Sequence, residues 1–322
     1  WTGTDDWTGF IPFAALPQAT NPPDGHFVSA NNKIVPDRYP YFLSRDWGLP
    51  NRAERIEELL SATPRQSPDT SAAIQADTLS IMARNLVPLM TRISPTNDAE
   101  ANALERLHQW DFRMDTDEVA PLIFTAWLRT FSRTVLFSRL GSAAADYWNL
   151  RPRVIEAILT DRPDWCADPN KPGTETCADR LAATLNTALV HLRAAYGRKM
   201  GNWRWGRAHI AVFKNPVLST IPILSDMIRV AIPTPGGYDT VNRGATTIRN
   251  DANPYEQNFG AGLRIITDLA APADSRMIIV PGQSGNPLSR HFADLLMRWR
   301  RFRWLVPQHA AAVATLTLVP AP

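Results

Sequence analysis

The residue types that could carry covalent chemistry are scattered through these 322 residues, and no linear set of them is self-contained. There is no G-x-S-x-G elbow, no Walker loop, no H-E-x-x-H and no C-x-x-C. The six histidines (His26, His108, His191, His209, His291 and His309) include no pair at metal-ligand spacing, and a lone helical His such as His108 or His191 reads as structural. A Ser-His-Asp triad is assembled in space, and nothing in the sequence supports one. Ser284, in Gln283-Ser284-Gly285-Asn286, is a tempting nucleophile. The small and amide residues around it read better as a tight turn before a helix beginning near Ser289. Asn31-Asn32 reads first as a turn, because Asn tolerates left-handed backbone, and Arg52 as a surface cation before a helix.

Cys166 and Cys177 flank a turn-rich segment holding Pro169, Asn170, Pro172 and Gly173. With no His nearby they make no zinc set, which leaves a small disulfide loop or two free thiols. A disulfide places the protein in an oxidising compartment.

What stands out is an ordered series of local strings. It opens with Trp1-Thr2-Gly3-Thr4-Asp5-Asp6-Trp7 and Asn21-Pro22-Pro23-Asp24-Gly25, then Phe27-Val28-Ser29-Ala30-Asn31-Asn32 and Asn51-Arg52-Ala53-Glu54-Arg55. Much later come Trp203-Arg204-Trp205-Gly206-Arg207-Ala208-His209, Val241-Asn242-Arg243-Gly244 and Pro281-Gly282-Gln283-Ser284-Gly285-Asn286-Pro287. Together these resemble the penicillin acylase family of N-terminal-nucleophile hydrolases, from Trp1 to about His291. The nearest likeness is to the branch of aculeacin-type and acyl-homoserine-lactone-type acylases.

The resemblance implies a precursor that cleaves itself, so that a Ser becomes the first residue of the catalytic β subunit and its own α-amine serves as base. Negative charge then builds on the amide oxygen. The family stabilises it with a side-chain amide N–H that matches Asn31 and a backbone N–H elsewhere. An Arg that orients the site matches Arg52, with Arg55 the poorer match; Asn32 and His209 are structural neighbours. The chain begins at Trp1, which has neither hydroxyl nor thiol. The Ser-led segment and the rest of the precursor are therefore expected upstream, as the partner of this chain. The family's Phe-x-His-Pro pattern stands here as Phe213-Lys214-Asn215-Pro216, without the His. Several relatives bind calcium, but the aspartate they place between the Asn pair and the Arg has no match, Asp37 and Asp46 both being misplaced. No metal or other cofactor is predicted.

The implied substrate is a small acyl amide. Acyl-homoserine lactones or lipopeptides are the alternative within the same chemistry, and a non-catalytic fragment or pseudoenzyme the alternative outside it. Export to the periplasm or beyond fits both the family and the suspected disulfide.

The elements that must position these residues are legible in outline. Hydrophobic content of 44% and charged content of 20% are those of a folded chain. A net charge of +3 is too weak a bias for nucleic acid, and the basic run 298–303 reads as a solvated helix end. No apolar run reaches membrane-span length. Residues 1 to about 52 read as loops and short strands around aromatic anchors (Trp7, Phe10, Phe13, Phe27, Tyr39, Tyr41, Trp47). Ser67-Pro68 caps a helical pattern running to about residue 90, followed by helical stretches at 97–111, 117–139 and 178–196. After Gly201 the pattern turns to strands at 208–213, 227–232, 263–269 and 277–280. A helix near 289–301 and a β-like tail at 311–319 follow. This order suits an α+β fold. By resemblance it is the four-layer αββα sandwich, entered after its first strands, with a large helical insertion at about 53–200. The whole of 1–322 is then the C-terminal part of the β subunit.

Overall fold

The computed structural model describes residues 2–4, 6–146, 150–169, 173, 175–215, 217–221, 223, 225, 228–247, 251–306 and 316–318. It is an α+β structure. From Asn51 to Tyr196 the regular elements are helical: α1 (Asn51–Ala62), α2 (Pro68–Gln75), α3 (Ile81–Met90), α4 (Asp98–His108), α5 (Ala120–Leu140), α6 (Pro152–Thr160) and α7 (Cys177–Tyr196). A one-turn helix α8 (Trp205–Ala208) leads into the strands β1 (Ile210–Phe213), β2 (Val230–Pro233), β3 (Gly244–Ala245), β4 (Phe259–Gly260), β5 (Leu263–Ile266) and β6 (Arg276–Ile279), and then α9 (Leu296–Arg300). Among the described residues the strands form three antiparallel pairs, β1–β2, β3–β4 and β5–β6.

The helical body is built around α5. Its residues 120–128 are buried on every face, as an interior helix must be when apolar all round. Trp127 is fully buried, and its indole N–H donates to the Leu181 carbonyl of α7 at 3.0 Å, so the large side chain carries no unsatisfied donor. A smaller core joins β1, β2, β6 and α9 through Ala211, Ile232, Ile278, Leu296 and Trp299.

Several expectations need correction. The helical pattern from Ser67 is two helices. Ser67 does cap α2, accepting from the Thr70 amide while Thr70 reciprocates, and Pro68 takes the first helical position. But the Ser80 amide donates to the Phe112 carbonyl and the Met114 amide to the Thr78 carbonyl, so residues 76–80 leave the helix to pair with a distant segment. Ser80 then caps α3, accepting from the Ala83 amide. Among the described residues of 2–50 there is no strand, only a short 3₁₀ turn (Phe13–Ala15) and bends. Seven prolines in that stretch (12, 17, 22, 23, 36, 40 and 50) remove backbone donors. The aromatic anchors expected there divide: Trp7, Phe10, Phe13, Phe27 and Tyr41 are exposed, Tyr39 and Trp47 half-buried. The late helix begins at Leu296, not near Ser289. Turn bonds hold the chain between, with the Phe292 amide on the Ser289 carbonyl and the Leu295 amide on the Pro281 carbonyl. Met227 of the second expected strand, Pro216, and 311–315 and 319 of the expected tail lie outside the described residues; 316–318 form no strand.

Cys166 and Cys177 are joined in a disulfide that ties the segment before α7 to its first turn. Closing a loop of 11 residues restricts the unfolded chain, and opening it is expected to cost about 3 kcal/mol. Denaturant midpoints of oxidised protein and of a Cys166→Ala/Cys177→Ala variant measure this; equal midpoints contradict it.

Candidate active site

The site is organised by two buried carboxylates that fix the start of α1. Asp239 is fully buried and accepts from the Asn51 side-chain amide (3.0 Å), the Ser80 hydroxyl (2.7 Å) and the Met82 amide (2.7 Å). Burial pushes its carboxyl up, against the pull of these three donors. The Met82 contact places the acid at the N-terminus of α3, where a helix favours negative charge. Asp77 holds Arg55 through two parallel bonds of 3.0 Å each, and the Asn242 amide donates to its carbonyl. Helix α1, the junction of α2 with α3, and segment 236–244 are thereby locked together. Arg55, the poorer match of the two arginines, is committed to this scaffold.

Arg52, one residue into α1 from the Asn51–Asp239 tie, points the other way. One terminal nitrogen donates to the Ala30 carbonyl at 2.7 Å and to the Asn31 side-chain oxygen at 2.6 Å. A guanidinium only donates, so its contact fixes which end of the Asn31 amide is oxygen. The Nδ2 end has no acceptor among the described residues, and Asn31 lines a cavity of about 480 Å³ and a smaller adjoining one of about 80 Å³. A cation on the amide oxygen also polarises the group and strengthens its N–H as a donor. Burial, and then neighbouring Arg243, pull the Arg52 guanidinium below its ordinary value; Asp239 opposes them.

The turn reading of Asn31 holds as well. Its φ is +66°, and its carbonyl accepts from the Gly48 amide at 2.6 Å. A Cβ on Gly48 would lie 3.0 Å from both the Asn31 Cβ and its carbonyl oxygen, so any side chain there would have to push the Asn31 turn aside. Asn32 turns inward on its own loop, accepting from the Ala30 amide at 2.9 Å. The left-handed turn and the Gly48 contact set the backbone; Arg52 sets the side chain.

The larger cavity is walled by Trp47, Tyr238 and Phe259, with Arg151 and Arg243 among its polar lining. Sequence reasoning did not single out Asp239, Arg151 or Arg243 individually, although Arg243 lies in the Val241-Asn242-Arg243-Gly244 string. His209 is elsewhere. It is fully buried, stacked on Trp205 at 4.4 Å, with its ring nitrogens 2.8 and 2.9 Å from the Thr234 and Gly244 carbonyls, and burial pushes it down to about 4. It is a core tie. Ser284 sits in a turn, its hydroxyl accepting from the Asn286 amide. Of the two aspartates near the expected position, Asp37 pairs with Lys33 and Asp46 lines the cavity, and no three His, Cys, Asp or Glu side chains converge among the described residues. No step is assigned to a metal.

The loop preceding Asn31 is also tied to α1 by His26, whose ring nitrogen lies 2.6 Å from Glu57. That hydrogen bond raises the ring above its ordinary 6.5. A raised folded-state pKa means the tie is fully present below about pH 6.5 and lost as the pH climbs through the raised value. An NMR titration of His26 is expected to give a midpoint above 6.5, returning toward 6.5 in Glu57→Gln. A wild-type midpoint at or below that value contradicts the tie.

The family model for penicillin amidase matches residues 1–312. The chain belongs to the penicillin amidase family. It is 31% identical to the penicillin acylase 2 proenzyme of a Pseudomonas species over its whole length, covering 42% of that relative. It is 25% identical to an acyl-homoserine lactone acylase of Pseudomonas syringae pv. syringae, over 94% of this chain and 39% of the relative. Among solved structures it resembles the thermostable penicillin G acylase of Alcaligenes faecalis, with a TM-score of 0.63 at 20% identity, covering 99% of this chain and 62% of that one. That likeness is one of fold. The chain thus spans about two-fifths of the length of these curated relatives.

Proposed function

We propose that this chain is the later part of the catalytic β subunit of an amide hydrolase of the penicillin acylase type. It cleaves an N-acyl bond through an acyl-enzyme on an N-terminal Ser carried by another part of the same precursor. The observation that carries the reading is the Arg52–Asn31 contact, which occupies the amide oxygen of a residue that lines the cavity and leaves its Nδ2–H without an acceptor among the described residues. In that reaction the Ser hydroxyl attacks the substrate carbonyl, and its α-amine takes the proton. The oxygen that becomes negative receives the Asn31 N–H; the amine departs with the proton, and water repeats the sequence on the ester. Arg52 acts through Asn31 as a positioning residue.

The four-layer αββα sandwich, with residues 53–200 as its helical insertion, belongs to this proposal, as does completion of the fold by the rest of the precursor. So does export to the periplasm or beyond, in keeping with the Cys166–Cys177 bridge. Among the described residues no helix is long and apolar enough to cross a membrane. Acyl-homoserine lactones or lipopeptides are the second reading of the substrate, favoured by likeness to the lactone acylases. The test is expression of the complete precursor. Mass spectrometry is expected to find a β subunit starting at Ser, and a panel of phenylacetyl amides and acyl-homoserine lactones to release free acid. An unprocessed chain inert on every amide contradicts the proposal.

A further inference from the structure

Gly48 lies outside the left-handed region that favours glycine, so its own backbone would accept a side chain. What excludes one is the approach of the Asn31 turn. A Cβ at position 48 would stand 3.0 Å from the Asn31 Cβ and 3.3 Å from its carbonyl carbon. Carbon atoms rest about 3.5–4.0 Å apart, so the turn would have to yield by a few tenths of an ångström. The same close approach lets the Gly48 amide donate to the Asn31 carbonyl at 2.6 Å.

The segment from Gly48 to Arg52 thus grips residues 30 and 31 at two points. Gly48 holds the Asn31 carbonyl, and four residues on Arg52 holds the Ala30 carbonyl and the Asn31 side-chain oxygen. The far end of the grip is fixed, because Asn51 is tied to the buried Asp239. Pushing the Asn31 carbonyl away therefore turns the residue against an Arg52 that does not follow. We propose that Gly48 is a positioning residue for amide hydrolysis: its missing side chain sets how closely the Asn31 turn seats against the start of α1, and with it the place of the Asn31 N–H. The inference rests on the hydrolase reading above and deepens it. A fixed donor works only where the oxyanion will form, and a misplacement of about 1 Å costs on the order of a hundredfold in rate. A shift of a few tenths predicts a smaller but measurable loss.

Gly48→Ala in the complete enzyme tests this, with kcat expressed per processed β subunit. The position is half-buried in a loop, and the fold is expected to survive one added methyl. kcat should fall about tenfold, with KM changed by less than about twofold. A methyl that only narrowed the two cavities Gly48 lines would raise KM and spare kcat. In an Asn31→Ala background the same substitution should cost less than about twofold more, because no donor remains to be misplaced. A merely structural role would give the same loss in both backgrounds. Should Gly48→Ala stay unprocessed, its crystal structure decides: an Asn31 side chain drawn off Arg52 supports the proposal, and a turn in its wild-type place overturns it. A wild-type kcat in Gly48→Ala, a loss confined to KM, or equal losses in the two backgrounds also overturns it, and each leaves the hydrolase reading intact. A wild-type enzyme that turns over no amide removes both.

Discussion

Replacing Asn31 by Ala in the complete, processed enzyme is expected to lower kcat/KM about a hundred- to a thousandfold, the usual effect of losing one oxyanion donor. The fold should survive with a modest loss of stability: Asn31 is exposed and among the described residues its side chain bonds only Arg52, while Ala is less favourable than Asn at a φ of +66°. The loss should fall on kcat, since the contact strengthens as charge develops. Asn31→Asp is the sharper variant. Its carboxylate would keep Arg52, and would place a second negative charge where the N–H belongs. It should be as inactive as Asn31→Ala or more so. Arg52→Lys keeps a charge but loses the planar guanidinium that meets Ala30 and Asn31 together, and should fall between the wild type and Asn31→Ala. Circular dichroism and thermal melting separate these outcomes from unfolding. A variant at position 31 with near-normal amide hydrolysis removes that residue from the mechanism.

The second large effect is on stability. Asp239→Ala leaves the buried Ser80 hydroxyl and the Met82 amide without their acceptor, and removes the anchor of Asn51. Each buried donor left unsatisfied costs about 1–3 kcal/mol, so the variant is expected to lose at least about 3 kcal/mol in denaturant unfolding. Its activity should fall further than its folded fraction, because Asn51 precedes Arg52 and the start of α1 would be released. Asp239→Asn keeps one acceptor oxygen but sets an NH2 group against donors, and should recover only part of the loss. A loss under about 1 kcal/mol would show that the carboxylate does not hold this junction.

The elements that local chemistry specifies were legible in the sequence. Ser67-Pro68 announced the start of α2, and the apolar spacing of 117–139 and 178–196 marked α5 and α7 to within a few residues. What was not legible depended on distant partners. The break at residues 76–80 exists because Thr78 and Ser80 bond to the segment 112–114, and no local signal reports that pairing. The two-residue strands β3 and β4 are defined by each other, and the aromatic residues of the first fifty find no core among the described residues. The loop after Pro281 contains helix-compatible residues but is held by bonds back to Pro281 and His291.

The site divides in the same way. Asn31 and Arg52 came from the ordered strings that resemble the family, and the structure joins them in one contact. Asp239 lies 188 residues from its partner Asn51, a separation across which composition and periodicity carry no information. Arg243 stood in a noted string, yet its place over the Tyr238 and Phe259 rings, with its Nε unmet among the described residues, is visible only in three dimensions.

The most direct test is a crystal structure of the mature enzyme with a boronic acid captured on its N-terminal Ser as a tetrahedral adduct. The Asn31 Nδ2 should lie within about 2.7–3.1 Å of one adduct oxygen, with Oδ1 still on Arg52. An adduct whose oxygens are all met by other donors, with the Asn31 amide swung away from Arg52 into solvent, would contradict the account.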